Sequence, residues 1–105
     1  MPYFRVMLDG KGIDVPVEAG GPSIIGLITT RLVRADTVAE AEKKAKDMIL
    51  SEWSSSIYAS VNRGSLPVLS VETVWQSSFW DSLRFRNKGY SFYAQEDGEQ
   101  TNVNV

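Results

Sequence analysis

Between Thr37 and Trp53 the apolar side chains Val38, Ala41, Ala45, Met48, Ile49 and Trp53 recur at three- and four-residue steps, which aligns them along one stripe of a helix. This stripe constrains the chain most, because a helix that is apolar on one side must be laid against a second apolar surface. Its start is marked as well. Thr37 and Glu40 have the spacing of a capping box, in which the hydroxyl and the carboxylate each take up an otherwise unpaired amide. Glu40 with Lys44 and Glu42 with Lys46 form pairs in the favourable i,i+4 order.

The segments on either side of the helix read as strands. Residues 3–9 alternate, with Phe4, Val6 and Leu8 on one face and Tyr3, Arg5, Met7 and Asp9 on the other. Asp9-Gly10-Lys11-Gly12 supplies turn chemistry, so the strand either bends and continues through Ile13, Val15 and Val17 or folds into a short hairpin. Ala19-Gly20-Gly21-Pro22-Ser23 interrupts the pattern before a β-branched run, residues 24–35, predicts a second strand centred on Thr29, Thr30 and Arg31. The adjacency of Leu32 and Val33 in that strand predicts a bulge or a two-sided environment.

After the helix, residues 54–65 read as an irregular connection with Ile57, Tyr58 and Val61 as anchors. Residues 66–76 predict a third strand, with Leu69, Val71, Thr73 and Trp75 sharing one face. A turn of helix holding Phe79 and Trp80 follows, then a turn at Asn87-Lys88-Gly89 and a fourth strand over residues 90–94 with Phe92 inward. The order β-β-α-β-β with a short second helix predicts a two-layer α+β domain: an antiparallel sheet of about four strands with the long helix across one face. Sequential hairpin neighbours are the default strand order. Residues 1–95 form this single domain, and residues 96–105 read as a flexible acidic and polar tail.

Two zeros in the composition narrow the chemistry. Among 105 residues there is no Cys and no His, which removes thiol and imidazole nucleophiles and bases, Cys- or His-ligated zinc and the facial triad of iron oxygenases. Carboxylate or Ser-Lys hydrolysis stays open, with Glu18, Asp36, Glu72 and Asp81 as its acids. The glycine loops precede extended segments and no Gly-Lys-Ser/Thr occurs, so they read as turns and imply no nucleotide cofactor. Asp9, Asp14, Glu96, Asp97 and Glu99 lack the ligand spacing of a calcium loop, so no metal is expected. The start lacks the basic cap and long apolar stretch of a signal peptide, and the longest apolar run, residues 24–28, falls far short of a membrane helix; a cytoplasmic protein with no membrane partner is expected.

Tyr3-Phe4-Arg5-Val6, Thr29-Thr30-Arg31-Leu32-Val33-Arg34-Ala35 running into Ala39-Glu40-Ala41-Glu42, Val71-Glu72-Thr73-Val74-Trp75 and Gly89-Tyr90-Ser91-Phe92-Tyr93 together resemble a family of small, uncharacterised bacterial proteins. That family pairs a Thr-Thr-Arg strand with a Glu-Ala-Glu helix start and closes on a Gly-x-x-Phe/Trp-Tyr strand. It follows the last aromatic pair with Pro and acidic residues, where this chain has Ala94-Gln95. The resemblance implies no activity, cofactor or catalytic residue.

What the sequence does carry is a late aromatic excess: Trp75, Phe79, Trp80, Phe85, Tyr90, Phe92 and Tyr93. Most of these rings belong to the core, and any that stay wet mark a contact surface. Tyr3, Arg5, Arg31, Trp75, Trp80, Tyr90 and Tyr93 are therefore the candidate partner contacts. The leading expectation is a non-enzymatic protein-interaction module able to self-associate, for example as a homodimer, through its sheet face or an exposed strand. The alternative is a single-stranded nucleic-acid binder with Arg5, Arg31 and Arg34 and the tyrosines Tyr3, Tyr90 and Tyr93 on an open sheet face, helped by Arg84, Arg86 and Lys88. Eleven Lys and Arg against 13 Asp and Glu, a net charge of −2, argue against that alternative. A small carboxylate hydrolase ranks third.

Overall fold

Two long strands form the centre of the sheet. In the computed structural model β1 (Tyr3–Pro16) pairs antiparallel with β2 (Ser23–Arg34), from Tyr3 opposite Arg34 to Pro16 opposite Ser23. The structure describes residues 2–17, 20–82, 89–96 and 99–104, leaving aside the side chains of residues 81, 82, 95, 96 and 99–104. At the Asp9-Gly10-Lys11-Gly12 turn signal β1 bends and continues, and its register against β2 shifts between Lys11 and Val15. Gly12 has φ of 94° there, a conformation that a Cβ disfavours. The bend is clasped from outside by Asn62, whose side-chain oxygen accepts the N–H groups of Asp14 and Gly64, both at 2.9 Å.

Of the two alternatives at Leu32-Val33, a bulge or a two-sided environment, the structure takes the second. Pairing runs unbroken from Tyr3–Arg34 through Arg5–Leu32, and strict alternation sends Leu27, Thr29, Arg31 and Val33 to the buried face and Leu32 to the opposite one. The two adjacent aliphatic residues therefore stand on opposite sides of the sheet, Val33 buried and Leu32 half-buried.

Helix α1 (Val38–Ser55) lies across one face of the sheet. Its Glu40 N–H donates to the Thr37 hydroxyl at 3.1 Å, while the Glu40 carboxylate reaches the N–H of Asp36, one residue before the cap. Ala41, Ala45, Ile49 and Trp53 are its buried positions, and Val38 is exposed. The two alanines let the helix approach Phe4, Val6 and Leu8 closely, and Trp53 fills the space beside Phe92. Removing a ring so enclosed costs about 3–5 kcal/mol. Of the two expected ion pairs, Glu40 and Lys44 meet at 3.1 Å, whereas Glu42 and Lys46 form none; Lys43 instead pairs with Asp47 at 2.7 Å.

The connection after α1 contains a short helix, α2 (Ile57–Val61), and leads to β3 (Val68–Ser77). A single turn, α3 (Phe79–Ser82), precedes β4 (Ser91–Glu96). Residues 99–104, placed by the sequence reading in a flexible tail, form β5 (Glu99–Asn104), whose backbone pairs with β4. The sheet order is β3-β1-β2-β4-β5, all neighbours antiparallel, which makes a two-layer α+β fold. Sequential neighbours are therefore not the rule: the segment carrying α1 takes the chain past β1, so β3 forms the edge beside β1 and not beside β2. Both elements predicted as possible turns of helix or irregular anchors, α2 and α3, are helical but short.

Strand β3 corrects a further expectation. Its register against β1 shifts between Met7–Thr73 and Leu8–Val71, so Glu72 is the extra residue of a bulge. The extra residue turns Leu69, Val71 and Val74 toward the core and sends Thr73 and Trp75 to the opposite face, whereas simple alternation groups Trp75 with Leu69 and Val71. Among the described residues no helix is long and apolar enough to cross a membrane.

Candidate interaction surface

With α1 on one side, the other face of the sheet carries Tyr3, Arg5, Met7 and Asp9 from β1, Arg34, Leu32 and Ile28 from β2, Trp75 from β3 and Tyr93 from β4. At the end of this face where β1 begins, Trp75 stands opposite Arg5, and Tyr3 opposite Ser77. The chain leaving β3 turns immediately into α3, which sets the Phe79 ring 6.5 Å from that of Tyr3 and the Trp80 ring 5.6 Å from that of Phe79, edge to face. The Arg34 guanidinium lies 5.4 Å from the Tyr3 ring centroid, within cation–π range. Trp75 is 40% exposed, Phe79 55% and Trp80 73%. Large rings normally leave water on folding, so three wet ones on two consecutive elements form an unusual apolar surface among the described residues.

Of the seven predicted contact residues, the structure brings together Tyr3, Arg5, Trp75 and Trp80 at this end. It separates the other three. Arg31 lies on the helix-facing side, 2% exposed, with Nη2 3.3 Å from Oε1 of Glu52 and its guanidinium 5.0 Å above the Tyr90 ring. The Tyr90 hydroxyl donates to the same Glu52 oxygen at 2.5 Å. Trp53 stacks on Tyr58 with centroids 4.6 Å apart and meets Tyr90 edge-on, closing the cluster. Burial, reinforced by the hydrogen bond to Glu52, pushes the Tyr90 hydroxyl well above its usual titration range, and burial does the same to Tyr58 more weakly. This network ties α1 to β2 and β4, and no partner reaches Arg31 or Tyr90 without dismantling it.

Tyr93 is on the open face but equally engaged. Its ring crosses β2 directly over Gly26, where a Cβ would meet the ring at 2.0 Å, and its hydroxyl donates to Asp9 at 2.8 Å. Burial first and the bond to Asp9 second raise its titration. The signal for this contact is in the sequence: a glycine inside a β-branched strand, Gly26, marks a close approach. Composition alone does not distinguish Phe79 from the other late aromatics; its position directly after an edge strand is what makes it part of the surface.

The nucleic-acid arrangement needs arginines and tyrosines on one open face, and the burial of Arg31 and Tyr90 takes two of its members away. Arg84, Arg86 and Lys88 lie outside the described residues. Of the acids considered for hydrolysis, Glu18 and the side chain of Asp81 also lie outside them, while Asp36 precedes α1 and Glu72 sits in the β3 bulge, on separate elements. An open groove of about 650 Å³ runs between β2 and α1, past Leu32, Arg34, Lys44 and Met48. Its carboxylate, Asp47, is held by Lys43, and Lys44 Nζ donates to the carbonyl of Arg34 at 2.6 Å. Among the described residues no group of three or more acidic side chains converges as a metal site.

No family model matches the chain, and neither does any curated protein or solved structure.

Proposed function

We propose that this chain is a non-enzymatic protein-interaction module whose contact surface is the aromatic end of the open sheet face: Trp75, Phe79 and Trp80, flanked by Tyr3, Arg5 and Arg34. The observation that carries the reading is the exposure of Trp75, Phe79 and Trp80 where the other late rings among the described residues, Tyr90, Phe92 and Tyr93, are buried; Phe85 lies outside the described residues. Tryptophan, tyrosine and arginine are the side chains that anchor protein interfaces, because each combines large apolar area with a polar or charged handle. A surface of this composition, adjoining an edge strand, gains more from contact with another protein than from water.

Affinity capture from the source cells, run side by side with wild type and the double variant Trp75→Ser/Trp80→Ser, tests this reading. Proteins retained by wild type and lost from the variant support it. An identical set from both, with the variant folded by circular dichroism, overturns it.

A further inference from the structure

The outer edge of β3 shows what could cover the aromatic surface. Strand β3 ends the sheet, and no element among the described residues pairs with its outer side. Natural edges are blunted by proline, lysine or bulges. Here the bulge at Glu72 confines irregularity to mid-strand, and residues 73–77, Thr-Val-Trp-Gln-Ser, contain neither proline nor charge.

The backbone directions along this stretch follow from one hydrogen bond. The Ala35 N–H donates to the Pro2 carbonyl at 3.1 Å, and Pro2 and Ala35 continue the register in which Tyr3 faces Arg34. Groups on alternate residues of an antiparallel strand point to opposite sides, so even-numbered residues at the start of β1 bond to β2 and odd-numbered ones to β3. Tyr3–Ser77, Arg5–Trp75 and Met7–Thr73 are then the bonded pairs with β3, which leaves Val74 and Gln76 with their N–H and C=O groups directed outward.

That parity is self-complementary. When two copies of this stretch run antiparallel about a twofold axis at Trp75, Val74 of each faces Gln76 of the other, and the outward groups meet as bonded pairs. Trp75 then faces its own copy in a non-bonded pair, where side chains approach most closely and aromatic pairs stabilise best. An axis normal to the sheet keeps both helices on one side and both aromatic surfaces on the other, across the seam. Glu72 lies outside the paired stretch, so no carboxylate faces its symmetry mate. The exposed parts of Trp75, Phe79 and Trp80 supply about 300 Å² per copy by typical ring areas, a useful share of the ~800 Å² per partner of a standard interface, with the strand edges supplying more.

We infer that the partner is a second copy of this chain, joined through residues 73–77 of β3 in antiparallel register about Trp75. The inference rests on the contact-surface reading and names its occupant. An unrelated peptide has no need of the twofold register; two copies of one edge satisfy it automatically.

Sedimentation velocity over a concentration series of wild type, Gln76→Pro and Trp75→Arg tests it. Proline at 76 removes an outward N–H and no bond of the β1 ladder, while Trp75→Arg leaves the backbone intact and sets like charges face to face. The expected result is a wild-type dimer and at least tenfold weaker association in each variant that keeps wild-type circular dichroism. A wild-type monomer throughout, or a dimer undiminished in a folded variant, overturns the self-pairing. A wild-type monomer leaves the contact-surface reading intact, to be decided by the capture comparison.

Discussion

The Tyr93 hydroxyl reaches Asp9, two strands away, because Gly26 between them has no side chain. The ring occupies the position where a Cβ would stand. Gly26→Ala should therefore expel Tyr93 and cost about 1–3 kcal/mol, the usual range for overpacking. A double-mutant cycle in urea checks the cause: in a Tyr93→Ser background the Gly26→Ala penalty should largely vanish. An undiminished penalty there would place the strain elsewhere.

Arg31 and Glu52 are unequal partners, the first buried and the second 37% exposed. Glu52→Ala leaves a guanidinium under the helix with no counter-charge, and a loss of about 3 kcal/mol is expected. Arg31→Met leaves a carboxylate that water can reach, so its cost should be smaller. Denaturant midpoints give the order directly; equal or reversed losses contradict the account.

The raised titrations of Tyr90, Tyr93 and Tyr58 make stability depend on alkaline pH. Each hydroxyl holds its proton more tightly folded than unfolded. Stability is then fully present below the unfolded tyrosine value of about 10 and declines as pH rises above it, since the unfolded chain releases protons first. Urea midpoints measured from pH 8 to pH 11.5 should be level at first and then fall, and Tyr90→Phe or Tyr93→Phe should flatten the fall. A profile equally steep in both variants would assign it to other groups.

Much of this architecture is legible in the sequence. The alternation of Phe4, Val6 and Leu8, the stripe from Ala41 to Trp53 and the Thr37–Glu40 cap are local patterns, and local patterns survive folding when tertiary contacts agree with them. The bulge at Glu72 is different: one extra residue exchanges the faces of everything beyond it, and nothing in Val71-Glu72-Thr73 announces it. Arg31 shows the limit of reading charge as solvent exposure. Its parity with Leu27, Thr29 and Val33 pointed inward, and the partner that permits burial, Glu52, lies on the last part of a helix whose position over the sheet is not a local property. Of the site, Tyr3, Arg5, Trp75 and Trp80 were foreseeable as aromatic and arginine surplus; their assembly depended on β3 lying beside β1.

Three tryptophans allow the central claim to be read from one spectrum, since Trp53 is 1% exposed while Trp75 and Trp80 are wet. In protein labelled with 5-fluorotryptophan, the solvent isotope shift between H₂O and D₂O reports whether each ring touches water. On raising the concentration, the Trp75 and Trp80 resonances should lose that shift together while Trp53 stays unchanged. Resonances of Trp75 and Trp80 that keep their full isotope shift at every concentration would contradict the account.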